Sequence, residues 1–212
     1  MVVSNTKVRT ILNNARETLK TAEFGLSMLQ SADPVGRQVG LRNVVVFGRA
    51  VTNVLQKLRS VVLDFDEWYQ PWQKRFGDDA VTSYMYKLRS EILKEGQLVT
   101  GRKMSFDLLT STMIAQAAQN PPPRAKAFFV GDSLGGSGWE IELDSGETEK
   151  FYLSMTDSPG IGIKSEAFFA NAPIGLNRIP VQDLCSHYIA EMKAITDDAW
   201  NKFVVQISLS VN

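Results

Sequence analysis

The sequence predicts an α+β protein. It reads as a four-helix-type bundle, three N-terminal helices plus a C-terminal helix, with a β-hairpin-containing insertion between helices three and four. Three observations carry this. Apolar residues recur at alternating spacings of three and four near both ends of the chain, the period shortens to two between about residues 97 and 180, and Gly96 and Pro180 stand where it changes. A helix with one oily face is not stable alone in water, so the four faces must meet in one interior, and 212 residues are enough to build it. The division that follows is a bundle from residues 1–97 and 180–205, with 98–179 as a β-rich insertion packed on it.

The first helix starts at a Ser4 or Asn5 cap and carries Val8, Leu12, Ala15, Leu19, Ala22, Leu26 and Leu29 on one face. Asp33-Pro34 and Gly36 are expected to end it, because proline disfavours helix just before itself. The second stripe is Leu41, Val44, Gly48, Val51, Leu55, Leu58 and Val62. Gly48, costly in a helix interior, implies close approach of another backbone there. From Asp64 to Phe76 the text reads DFDEWYQPWQKRF. Pro71 is expected to kink or break the helix into a short aromatic elbow that Gly77 stops. Asp78 or Asp79 then caps a third helix with Val81, Met85, Leu88 and Ile92, closed by Gly96.

In the insertion, Met104, Phe106 and Leu108 alternate with polar residues, and Phe128-Phe129-Val130 precede a Gly-rich turn. Trp139, Ile141 and Leu143, then Phe151, Leu153 and Met155, flank Asp144-Ser145-Gly146, which predicts a hairpin. Met113 to Gln119 reads as one short helical turn before Pro121-Pro122-Pro123. The last helix carries Val181, Leu184, Tyr188, Met192, Ile195, Ala199 and Phe203 after Pro180, and Val204 to Val211 reads as an added strand or a fraying tail.

Composition excludes several chemistries. The chain holds 23 basic and 23 acidic residues, one histidine (His187) and one cysteine (Cys185). One cysteine rules out an internal disulfide framework, and the pair rules out the usual structural zinc sites. Neither a metal nor a cofactor is expected. No apolar run reaches the length of a membrane span and the start is too polar for a signal peptide, so no membrane partner and a cytoplasmic setting are expected. Residues 1–97 carry 14 basic and 10 acidic residues and residues 98–212 carry 9 and 13, a mild segregation rather than a strongly basic footprint.

The local motifs are mostly turns. Gly131-Asp132-Ser133-Leu134-Gly135-Gly136 looks like the nucleophile loop of trypsin-like proteases, but Leu134 interrupts it and His187 lies far downstream on a helix. Neither that run nor Gly160-Ile161-Gly162-Ile163-Lys164-Ser165 opens a helix as a phosphate loop must. Cys185 and His187, two apart on a helix, point about 200° from each other and share no ligand; a half-buried cysteine and a surface or capping histidine are expected. The Asp64, Asp66, Glu67 and Asp78-Asp79 clusters read as helix caps rather than metal sites. Most rings of the aromatic elbow are expected to be buried, with one tryptophan partly exposed; Trp68, Tyr69 and Trp72 are the candidates for a partner surface.

At the end of the third helix the chain reads Tyr86-Lys87-Leu88-Arg89-Ser90-Glu91-Ile92-Leu93-Lys94-Glu95-Gly96. This resembles the "LRN…H-E-G" stretch of bacterial members of the HEPN superfamily, helical-bundle domains of toxins, defence proteins and nucleotidyltransferase partners. Arg89 matches the family arginine and Ser90 the polar residue, while Lys94 stands where the histidine belongs. The resemblance implies a bundle that dimerises. In active members an arginine and a histidine from two protomers cleave RNA without metal. A lysine, with a reference pKa of about 10.4, is a poor general base, so the resemblance implies a non-catalytic member. The resulting expectation is a bacterial, non-enzymatic binding protein forming a homodimer and contacting RNA or nucleotide phosphates through Arg42, Arg49, Arg89 and Lys94. Two alternatives stay open: a metal-independent ribonuclease using Arg89 with Tyr86 or Lys94, and a structural protein–protein interaction module binding an unidentified partner through the aromatic elbow or the hairpin.

Overall fold

The computed structural model describes residues 5–31, 33–96, 98, 100–106, 118–130, 132, 137–153 and 163–205. Five α-helices and five strands follow in the order α1 (Asn5–Met28), α2 (Pro34–Leu55), α3 (Phe65–Asp78), α4 (Ala80–Glu95), β1 (Thr100–Phe106), β2 (Ala125–Phe129), β3 (Ser137–Glu142), β4 (Thr148–Leu153), β5 (Ile163–Phe169) and α5 (Val181–Trp200). The α+β class is as expected, and the C-terminal helix packs against α1, α2 and α4. The four stripes share one core: Leu12, Val44, Leu55, Met85, Met192 and Ile195 lie at its centre without solvent exposure. Phe203 and Val204, in a π-helical turn (Asn201–Val205), extend that core at the end of α5; Gln206 to Val211 lie outside the described residues.

Two boundaries differ from the expectation. Asp33-Pro34 starts α2 instead of ending α1, which stops earlier, at Met28. The Asp33 carboxylate accepts from the backbone N–H of Val35 (3.0 Å) and Gly36 (2.8 Å), and Pro34 takes the first helical position, where its missing N–H costs nothing. At its other end α2 tightens into a 3-10 stretch (Gln56–Ser60) that still delivers Leu58 and Val62 to the core.

The aromatic elbow is a helix. α3 runs through Pro71, and Gly77 lies inside it. Phe65, Tyr69 and Phe76 fall at helical spacing and are buried, and Phe65 stacks on Tyr69 with centroids 5.1 Å apart. Packing of these rings offsets the roughly 3 kcal/mol that an interior proline costs a helix. As read from the sequence, Asp79 caps α4, accepting from the Thr82 N–H (2.8 Å) and hydroxyl (2.6 Å), and Gly96 closes it with φ +68°.

The strands form two antiparallel sheets. β1 pairs with β5, Thr100 opposite Phe169, and Phe169 carries this pair onto the bundle with its ring 5.4 Å from that of Tyr84. β2, β3 and β4 form the second sheet. The expected hairpin joins β3 to β4 through Asp144-Ser145-Gly146, Gly146 taking φ +83°. Trp139 is buried against Phe128, Ile141 is half-buried and Leu143 is exposed, so only the first part of β3 faces inward. The helical turn expected at 113–119 lies outside the described residues up to 117, as do Leu108, Met155, most of the Gly131–Gly136 run and the first half of Gly160–Ser165, whose last three residues open β5.

Candidate functional site

Two of the four cations singled out in the sequence lie on helices that pack against each other. Arg49 projects from α2 and Arg89 from α4, both half-buried. The Arg49 guanidinium lies 4.2 Å from the centroid of the Tyr86 ring and donates to the Thr52 hydroxyl. Tyr86 meets Tyr188 of α5 edge to face at 6.3 Å, one helical turn before Arg89. Tyr188 reaches this point because α2 has no side chain at Gly48. A Cβ there would lie 2.4 Å from the Tyr188 ring, so the glycine admits a ring, not the backbone expected.

The polar groups of this cluster are under-satisfied. Tyr188 is fully buried and its hydroxyl has no hydrogen-bond partner, and neither has the buried Nε of Arg89. A buried polar group left unpaired costs about 1–3 kcal/mol, so two on facing helices call for an explanation. Among the described residues neither arginine forms an ion pair; Glu91 pairs with Lys87 at 3.8 Å and Glu191 with Arg75 at 2.6 Å, while the second Glu191 oxygen, one turn from Tyr188 on α5, is buried without a partner. Burial pushes the Tyr188 phenol up, partly countered by the charges of Arg49 and Arg89. Burial likewise raises Tyr86, partly offset by Arg49 and Thr52. The Arg49 and Arg89 guanidinia and the two tyrosine hydroxyls supply donors of the kind that hold an anion.

The other named residues lie elsewhere. Arg42 donates to the Gly96 carbonyl (2.7 Å), tying α2 to the end of α4, and Lys94 is exposed on the last turn of α4. Tyr69 is buried and accepts from Gln56 (3.2 Å). Trp68 and Trp72 are half-buried, and both indole N–H groups donate to one Asp198 oxygen at 2.8 Å. Two tryptophans, not one, are thus partly exposed. Cys185 is fully rather than half buried, and burial holds its thiol protonated. No group of three or more potential metal ligands occurs, and no helix is long and apolar enough to cross a membrane, among the described residues.

A second polar contact joins α4 to α5. His187 Nε2 lies 3.2 Å from both Asp79 oxygens, one turn before the Glu191–Arg75 pair. Burial works to raise the Asp79 carboxyl, but the Thr82 hydroxyl and N–H, then His187, more than offset it and leave it below its ordinary value. A depressed carboxyl contributes stability that is complete above its unfolded value and lost as pH falls through its folded value. Asp79→Asn is therefore expected to cost about 1 kcal/mol at neutral pH, with a penalty that shrinks below about pH 4. Urea unfolding of both proteins across that range checks it; a constant penalty would show that charge plays no part.

With the geometry in place, the chain can be compared with known proteins. The family model of bacteriophage lambda protein ea47 matches residues 28–134, just over half the chain, from the end of α1 past β2. The chain belongs to the ea47 family. The matched segment includes Gly48, Arg49, Thr52, Tyr86 and Arg89, whereas Tyr188, which completes the cluster, lies beyond it on α5. The ea47 match carries no link to the HEPN superfamily. No curated protein and no solved structure matches the sequence.

Sequence reasoning missed Tyr188 as a polar residue because its place in the α5 stripe marked it only as core. The usable signal was the interior Gly48, which implies a bulky neighbour.

Proposed function

We propose that the chain is a non-catalytic binding protein, a HEPN-like helical bundle holding a phosphate of RNA or a nucleotide through Arg49 and Arg89. The observation that carries this reading is the pair of half-buried guanidinia, on the packed helices α2 and α4, without an ion-pair partner among the described residues. Half-buried cations are costly unless something neutralises them, and a phosphate does so with charge-assisted hydrogen bonds. Arg42, bound to the Gly96 carbonyl, and the exposed Lys94 stand apart from that pair, near the end of α4. Binding is favoured over cleavage because burial raises the Tyr86 phenol, which makes it a poor source of the base a metal-independent ribonuclease needs.

Fluorescence anisotropy with a short RNA and with a nucleotide, at about 50 and about 200 mM salt, tests the reading. Binding is expected to weaken at higher salt and to fall about tenfold or more in Arg49→Ala and in Arg89→Ala. Absence of salt-sensitive binding to either probe, or binding indifferent to both substitutions, would overturn it.

A further inference from the structure

We propose that the first turns of α2, together with the last turn of α4, dock an acidic amphipathic helix of a partner protein. The inference goes beyond the phosphate-binding reading: it concerns a different surface and uses neither Arg49 nor Arg89 as a contact.

α2 carries a second stripe besides the one it turns to the core. Val35, Val39, Arg42, Val46 and Arg49 recur at alternating spacings of four and three, the seam of one helix lying on another. α4 runs along part of this seam. The Arg49 guanidinium lies 4.2 Å from the Tyr86 ring centroid, and Arg42 donates to the carbonyl of Gly96, the residue that closes α4. Past Arg42 the seam continues toward the start of α2, where Val39 is 44% and Val35 is 55% exposed. Leu93, one turn beyond Arg89 and two beyond Tyr86 on the same face of α4, is 55% exposed. Three apolar side chains thus stand in solvent where a seam of helical spacing outruns the helix that covers it, and a partner helix with apolar residues three and four apart fits such a strip. Charge gives that partner its sign. α2 holds three arginines and no acidic residue, and Arg42 is fixed by a neutral carbonyl. Lys94 is exposed on the last turn of α4, and neither cation has a carboxylate partner among the described residues. Carboxylates flanking the partner's apolar stripe would meet both. A second copy of this surface would bring like charges together, and a nucleic acid strand would set its charged backbone against two valines and a leucine.

Val39→Gln and Leu93→Gln are the informative variants. Both sites are exposed and lie on different helices, so each variant is expected to melt close to the native protein, and either one alone suffices for the test. The probes are two labelled synthetic helical peptides of about 20 residues, long enough to hold a helix, with leucines three and four apart. One is flanked by glutamates, its twin by lysines. The acidic peptide is expected to bind about tenfold or more tightly than the basic twin by fluorescence anisotropy, and more weakly at about 200 than at about 50 mM salt. Each glutamine variant is expected to weaken it about fivefold. RNA binding is expected to be unchanged in both variants. No binding of the acidic peptide, equal binding of the two peptides, or binding indifferent to both substitutions would overturn the inference. RNA binding lost in both variants would make the strip a nucleic-acid surface and overturn it as well. So would a native dimer, seen by sedimentation, that Val39→Gln converts to monomer, since a second copy would then be the occupant.

Discussion

Gly40→Val is expected to destabilise the protein by about 3 kcal/mol or more, a large share of the roughly 5–15 kcal/mol that holds a domain together. α1 and α2 are the most extensively packed helix pair, and they touch backbone to backbone at Gly25 and Gly40. A Cβ on Gly40 would sit 2.6 Å from the Gly25 carbonyl oxygen and 2.6 Å from Met28 Cβ; one on Gly25 would sit 2.6 Å from the Gly40 oxygen. A carbonyl cannot rotate out of the way as a side chain can, so any added group pries the helices apart along Val44, Leu19 and Ala22. Gly40→Ala is a milder form of the same test, because alanine returns about 1 kcal/mol of helix propensity and the clash must exceed that. Gly77 in α3 is the control. Nothing lies within 4 Å of its would-be Cβ, so Gly77→Ala is expected to stabilise by about 0.5–1 kcal/mol. Urea denaturation of the set settles it; Gly40 and Gly77 variants shifting the same way would refute the close-contact account.

Asp198→Ala is expected to cost about 3 kcal/mol. One Asp198 oxygen accepts from both Trp68 and Trp72, so alanine leaves two indole N–H groups without their acceptor and unties α3 from α5. Hydrogen bonds to a charged group contribute about 1.5–3 kcal/mol each, and here two share one acceptor. Asp198→Asn keeps an oxygen in place and should recover about half of the loss. Chemical unfolding followed by tryptophan fluorescence reads both stability and the wetting of the indoles. An alanine variant as stable as the native protein would show the contact to be idle.

Much of the framework was readable in the residues. The stripes at Val8–Ala22, Leu41–Val62, Val81–Ile92 and Val181–Phe203 became the shared core, because helical period and burial in a bundle are the same constraint seen twice. The Asp144–Gly146 hairpin and the Gly96 stop followed from turn chemistry that acts within a few residues. Local rules failed where they point two ways. Asp33-Pro34 serves as well to begin a helix as to end one, and Pro71 argued for a break in a segment whose aromatic spacing argued for a helix.

The site was legible only in pieces. Arg49 was singled out by its line on α2 and Arg89 by a motif, with nothing to say that their helices pack together. The chain alone determined which faces are oily, where the turns fall, and that one cysteine leaves no internal disulfide, since each depends on neighbours close in sequence or on residue counts. Tertiary structure alone decided that β1 pairs with the distant β5, that Tyr188 fills the notch at Gly48, and that its hydroxyl is buried without a partner. These outcomes turn on the distance between atoms from different helices and strands, and that distance is set by how whole elements pack rather than by any short stretch of sequence.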